Sequence, residues 1–316
     1  MRTKEQFLML FVLGGMMLAG LTACSGDDDT ATNDNAPQTA DDGVKVRRLT
    51  ITEAEGGAAE ARQALTRASL TEDDGLTAKW TAGDALTYCN LSRVNQGNGE
   101  APYSGGLTAI STAATSQFTG DVECRKGDYL AVVYPAATFT TNSQYTIALS
   151  GQDGTLAGLA TRFHYVYGKA LVNSVTDATA DATMPKMKSL LTVCKFSFVD
   201  KSNDAAIPIK TLTVSYGGSS SDAGKYPQTA TVAIDANTEQ AHVHATGAAG
   251  SSEALTVTCS TAQDAVYVAL LPTAAARTFS FSVTDDSGKT YSGTAKATLT
   301  EGEYVEATGL KLTQNQ

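Results

Sequence analysis

The sequence predicts an all-β protein built as two tandem β-sandwich domains, and three observations carry that expectation. Beyond residue 43, Thr, Val, Ala, Gly and Ser dominate in short runs that alternate apolar with polar positions, the period of a half-buried strand. Turn-forming clusters such as Asp285-Asp286-Ser287-Gly288 separate the runs. Setting aside a leader and a polar tether leaves about 270 of the 316 residues, room for two ordinary domains.

The chain opens with Arg2 and Lys4, then an apolar run from Phe7 to Leu18, the layout of a secretory signal. Leu21-Thr22-Ala23-Cys24 closes that leader and resembles the bacterial lipobox, in which the Cys thiol is acylated and the chain is cut just before it. Residues 1–23 therefore read as a lipoprotein signal peptide and Cys24 as the lipidation site, carrying palmitate-like chains. Several fatty chains exceed the two signals that stable anchoring needs. Residues 24–43 are rich in Asp, Asn, Thr and Ala, cannot build a core, and read as an acidic flexible tether. Acidic residues behind the Cys resemble the surface-export signal of Bacteroidetes lipoproteins.

The formal net charge is −10, and near −11 without the leader. Such a chain lacks the clustered Lys and Arg that nucleic acid demands. It would also be repelled by an anionic membrane surface, so attachment rests on lipid alone. No later apolar run approaches the ~18 residues of a membrane helix.

The body then reads as strands in order: Val44–Thr52, Ala85–Cys89, Asp128–Pro135, Gln144–Leu149, Leu190–Val199, Ile209–Tyr216, Thr229–Ile234, Ala254–Cys259, Ala265–Leu271, Thr278–Thr284, Thr290–Ala297 and Tyr304–Leu312. Glu53–Leu65 is helix-friendly in composition, but Gly56-Gly57 weakens it, so it reads as a loop or short helix. The polar, weakly repetitive stretch Val175–Pro185 reads as the boundary, giving domains 44–183 and 184–316. Of five cysteines, Cys24 goes to lipid; Cys194 shares a strand face with Phe196 and Phe198, and Cys259 with Leu255 and Val257. Buried thiols are favoured over disulfides for these and for Cys89 and Cys124, although an exported protein permits either.

Little here offers chemistry. His242 and His244 share one strand face, with only Glu239 near in sequence, and a solvated pair is the better reading than a metal site. There is no nucleophile elbow, zinc-protease motif or phosphate loop. Asp73-Asp74 and Asp285-Asp286 suit turns better than acid–base catalysis. Trp80, the only tryptophan, suits a core better than a sugar platform. No enzyme activity, cofactor or metal is expected.

Several segments in order resemble the fimbrillin-like lipoproteins of Bacteroidetes, subunits of type V pili. They are Thr66-Arg67-Ala68, Lys79-Trp80-Thr81-Ala82-Gly83-Asp84, Phe118-Thr119-Gly120, Lys126–Pro135, His164–Ala170 and Leu190–Phe198. The resemblance implies two transthyretin-like Greek-key sandwiches and polymerisation by donor-strand exchange. A protease cuts after an arginine, the first strand leaves, and a strand from the next subunit fills the groove. Carried onto this sequence, the released blocking strand is Val44–Thr52, with Val44, Val46, Leu49 and Ile51 as its apolar residues. The cut falls after Arg67, with Arg62 and Arg48 as alternatives. Tyr304–Leu312 is the candidate donor, with Tyr304, Leu310 and Leu312 as contacts, or else a last strand pairing within its own domain. The implied partners are other subunits, alike or unlike, joined head to tail at the outer membrane surface. The rival reading is a non-polymerising surface lipoprotein that binds glycan or host protein, pilus anchor or tip adhesin included.

Overall fold

The computed structural model describes residues 43–54, 69–73, 75–94, 103–140, 143–219, 221–235, 241–244 and 253–316. The expected signal peptide, Cys24, the tether up to residue 42, Arg62, Arg67, Glu239 and the Glu53–Leu65 stretch beyond Ala54 lie outside the described residues.

Strands dominate. In chain order the first half holds β1 (Lys45–Glu53), β2 (Ser69–Asp73), β3 (Gly75–Lys79), β4 (Ala85–Asn90), β5 (Ser104–Ala109), β6 (Gln117–Cys124), β7 (Tyr129–Tyr134), β8 (Gln144–Ala148), β9 (Val166–Val175) and β10 (Thr179–Met184). The second half holds β11 (Lys188–Ser189), β12 (Thr192–Asp200), β13 (Ile209–Tyr216), β14 (Thr229–Ile234), β15 (Ala241–His244), β16 (Leu255–Gln263), β17 (Val266–Leu270), β18 (Arg277–Thr284), β19 (Thr290–Ala297) and β20 (Tyr304–Gln314). Two short helices, α1 (Leu91–Val94) and α2 (Leu156–Arg162), interrupt the first half. Thr155 caps α2 by accepting a hydrogen bond from the Gly158 amide at 2.9 Å.

Seven strands of the first half close on themselves in the order β10-β1-β6-β5-β4-β7-β9, and β9 pairs back onto β10. Closure removes the free edges that an open sheet must protect. Alternation sends every second residue inward: Leu49 and Ile51 from β1, Leu86 and Tyr88 from β4, Phe118 and Val122 from β6, Leu130 and Val132 from β7. The residues 175–185 read from sequence as the domain boundary are not a bare spacer. They contain β10, whose Ala180, Ala182 and Met184 fill the ring. Small apolar side chains made this strand look like a spacer. Gly120 on β6 lies where a Cβ would stand 2.4 Å from the carbonyl oxygen of Gly106, so only glycine lets β5 and β6 approach there.

The second half repeats this wiring. Its seven-stranded sheet runs β16-β13-β18-β19-β20-β12-β17. Taking strands in chain order, β12 corresponds to β1 and β20 to β10. In both units the first strand pairs in parallel with the last, Leu49 opposite Ala180 in one and Cys194 opposite Val305 in the other. The described pairings of the second unit lack one rung, between β16 and β17, so this sheet does not close on itself and lies over its own core. Phe196, Phe198 and Phe281 meet there, with ring centroids 5.2 to 6.1 Å apart. Such aromatic contacts add about 0.5–1.5 kcal/mol each beyond area burial. Cys194 and Cys259 lie in that core, and all four described cysteines are buried free thiols.

Elements inserted into each unit join the two. β8 from the first half pairs with β14, and β14 with β15, as a separate three-stranded sheet. Tyr145 and Ile147 of β8, and Leu70, Leu76 and Ala78 of the β2–β3 hairpin, belong to a large apolar cluster shared by residues of both halves rather than to the interior of the first ring.

Candidate functional site

The site follows from what β1 does in the ring. It lies between two strands, antiparallel to β6 along Lys45–Thr52 and parallel to β10 along Arg48–Glu53. Its inward face reads Arg47, Leu49, Ile51, Glu53. Burying Leu49 and Ile51 contributes about 1.5–3 kcal/mol each. The two ends of that face are charged and buried all the same.

Arg47 is only 1 % exposed. Its Nε donates to the Thr176 carbonyl at 2.6 Å, its Nη1 and Nη2 to the Gly43 carbonyl at 3.1 Å, and Nη1 also to the Cys124 carbonyl. The guanidinium fork thus collects carbonyls from the turn before β10, the end of β6 and the segment just before β1. At the opposite mouth Glu53 is 4 % exposed. Its Oε2 accepts from Trp80 Nε1 at 2.9 Å and its Oε1 from the Met187 amide at 3.3 Å. Trp80 is fully buried, edge-on to Phe118 and Tyr134 at 4.9 and 5.4 Å. The turn behind it, Thr81 to Asp84, is held by Asp84 Oδ2 accepting from the Thr81 amide at 2.7 Å, with Gly83 at φ +96°.

The expected blocking-strand residues therefore divide. Leu49 and Ile51 point into the ring. Val46 does not; it is 66 % exposed, and the register gives its neighbour Arg47 the inward position. Val44 precedes the strand and is half-buried. Arg48, an alternative cleavage site, faces outward and pairs with Asp121 at 3.2 Å, but its backbone is laddered on both sides, which shields the peptide bond from a protease.

At the other end of the chain, β20 pairs with β12 from Tyr304 to Leu312. Along its other edge it meets β19 only at Gln314 and Thr313, so the stretch from Tyr304 to Lys311 presents an edge without a described strand partner. Leu312 is buried against Gly293, and Leu310 is half-buried. A bulge lets both residues face the core: Thr308 and Gly309 together oppose Ser197, Gly309 adopts φ +66°, and its amide donates to Ser197 Oγ at 2.9 Å. The Tyr304 hydroxyl donates to Glu72 Oε1 at 2.6 Å. Glu72, on β2, also accepts from Lys195 Nζ at 2.6 Å and from the Tyr267 hydroxyl. These bonds, Lys195 foremost, hold the Glu72 carboxyl down to about 2.

His242 is exposed on β15; the side chain of His244 lies outside the described residues. Among the described residues no three His, Cys, Asp or Glu side chains gather as a metal site. Asp285 serves its turn, accepting from the Ser287 and Lys289 amides at 2.9 Å. Reading from sequence missed the inward roles of Arg47 and Glu53. The available signal was parity, since both share the odd-numbered face of Leu49 and Ile51.

No family model and no curated protein matches the chain. Solved structures do share its fold. A candidate cell adhesion protein from Bacteroides uniformis ATCC 8492 superposes with a TM-score of 0.52 at 14 % identity, covering 85 % of this chain and 96 % of that one. A candidate cell adhesion protein from Bacteroides ovatus ATCC 8483 gives a TM-score of 0.51 at 11 % identity, covering 87 % and 97 %. At these identities the likeness is one of fold.

Proposed function

We propose that the chain is a structural fimbrial subunit, exported as a surface lipoprotein through Cys24, that joins other subunits head to tail by protease-triggered donor-strand exchange. The observation that carries this is the place of β1. It closes the first ring, and its only peptide link onward runs through residues 54–68, where Arg62 and Arg67 lie. One cut after Arg67 leaves β1 held by non-covalent contacts alone, still joined to the lipid-bearing tether. Its departure bares the edges of β6 and β10 and the apolar lining between them. A strand from another subunit restores both, the β-augmentation mode of recognition. Because donor and acceptor surfaces differ, the linkage does not close, and a fibre results. The fold shared with Bacteroides cell adhesion proteins supports a place at the cell surface.

The test is the N-terminus of the surface form. Mass spectrometry should find it at Ala68, and Arg67→Ala should leave a longer precursor that does not polymerise. Normal polymers from Arg67→Ala would move the cut elsewhere. One observation favours the rival reading of a non-polymerising glycan- or protein-binding lipoprotein: Arg47 and Glu53 are buried and bonded like permanent parts of the ring. A surface species lipidated at Cys24 and only ever monomeric would decide for that rival, an anchor or tip role included.

A further inference from the structure

We infer that the β1 slot selects its occupant by charge at its two mouths, and that the strand it takes belongs to a chain of a different kind. The inference rests on the strand-exchange reading above. β1 presents to the slot a cation, two apolar residues and a carboxylate at every second position: Arg47, Leu49, Ile51 and Glu53. The cation meets the carbonyls of Thr176 and Cys124; the carboxylate meets Trp80 Nε1 and the Met187 amide. An occupant without these ends takes from three buried polar groups, the Cys124 carbonyl, Trp80 Nε1 and the Met187 amide, and from the part-buried Thr176 carbonyl, the partners they have in β1. Each buried group so stranded weakens binding by about five- to a hundredfold.

The chain's own last strand does not meet the requirement. β20 sends Val305, Ala307, Leu310 and Leu312 toward its core. No basic residue in it stands six positions ahead of an acidic one. Across the whole sequence, a basic residue followed at +2 and +4 by apolar residues and at +6 by an acid occurs once, at β1 itself. β20 is thus built for a slot with an apolar lining throughout. The β1 slot is built for a strand reading basic, any, apolar, any, apolar, any, acidic, running in the direction of β1. Homopolymer growth through this pair is disfavoured, and the fitting partner is an unlike subunit.

The experiment uses the full chain nicked by trypsin within residues 55–68, freed of protease and held in sub-denaturing urea to speed exchange. Labelled peptides are offered: Lys45–Glu53, the same with Arg47→Met, the same with Glu53→Leu, and Tyr304–Gln314. Bound label and the emission of Trp80 report insertion. The inference expects the β1 peptide to insert, each substituted peptide to bind at least about tenfold more weakly, and the β20 peptide not to compete at a hundredfold excess. Equal binding by all peptides, or insertion of the β20 peptide as readily as β1, overturns the charge rule while leaving strand exchange standing. Failure of every peptide, the β1 sequence included, overturns strand exchange at this slot and the rule with it.

Discussion

Trp80 donates its indole N–H to the carboxylate of Glu53 at 2.9 Å, which ties the only tryptophan of the chain to the last residue of its first strand. Both groups are buried, so the bond is sheltered from water and each partner depends on the other. Glu53→Ala strands the indole N–H and the Met187 amide together. We expect a loss of about 2–4 kcal/mol in urea unfolding, somewhat more than the 1–3 of a single stranded group. Glu53→Gln keeps an acceptor and should lose less than half as much. A loss from Glu53→Ala below about 0.5 kcal/mol would contradict the role given to this contact.

The Glu72 carboxyl makes stability depend on pH in a defined window. Its hydrogen bonds from Lys195, Tyr267 and Tyr304 lower its pKa from the ordinary value near 4.5 to about 2. A depressed folded-state pKa gives stability that is complete above the unfolded value and fades as pH falls through the folded one. The wild-type protein should therefore lose stability between pH 4.5 and 2. Glu72→Gln should be less stable at pH 7 and flatter across that interval. Asp200 and Asp285 are also lowered and act in the same direction, so the difference between the two curves isolates Glu72. Parallel curves would show that the Glu72 cluster does not couple β2 to β20.

Gly309 sits in the left-handed region at φ +66°, where an L side chain costs about 1–2 kcal/mol. Gly309→Ala should loosen β20 with little effect on the first ring. Hydrogen exchange is the measurement. Amides of β20 and its neighbour β12 should exchange faster, while those of β1 and β6 keep their protection. Equal acceleration in both units would mean that the two unfold together.

Much of the fold was legible in the sequence because one face of most strands is apolar. β1, β12, β13 and β18 show that alternation, and Trp80 beside a turn announced a core residue. β10 was not legible, since Ala180 and Ala182 carry too little apolar surface to stand out from a spacer. β5 and β6 were hidden by Gly105, Gly106 and Gly120, which give no hydrophobic signal, although Gly120 is what lets the two strands approach closely. The repeated wiring was also invisible: Lys45–Glu53 and Thr192–Asp200 hold corresponding places with quite different residues. At the site, Leu49 and Ile51 could be read, whereas Arg47 and Glu53 could not. Charged side chains are normally exposed, and only the closed ring supplies the carbonyls and the indole that let these two be buried.

The claim that β1 must leave the first ring is tested most directly by locking it there. Thr50 of β1 faces Thr119 of β6 in the antiparallel ladder. Cys residues at these two positions lie within reach of a disulfide after small adjustment. The measurement is entry of the proteolysed Thr50→Cys, Thr119→Cys chain into polymers in the presence of the unlike subunits of its own surface material, oxidised and then reduced. The account predicts monomer only while the bond is closed, and polymers once reductant opens it. Polymers of equal length and amount in both states would contradict it.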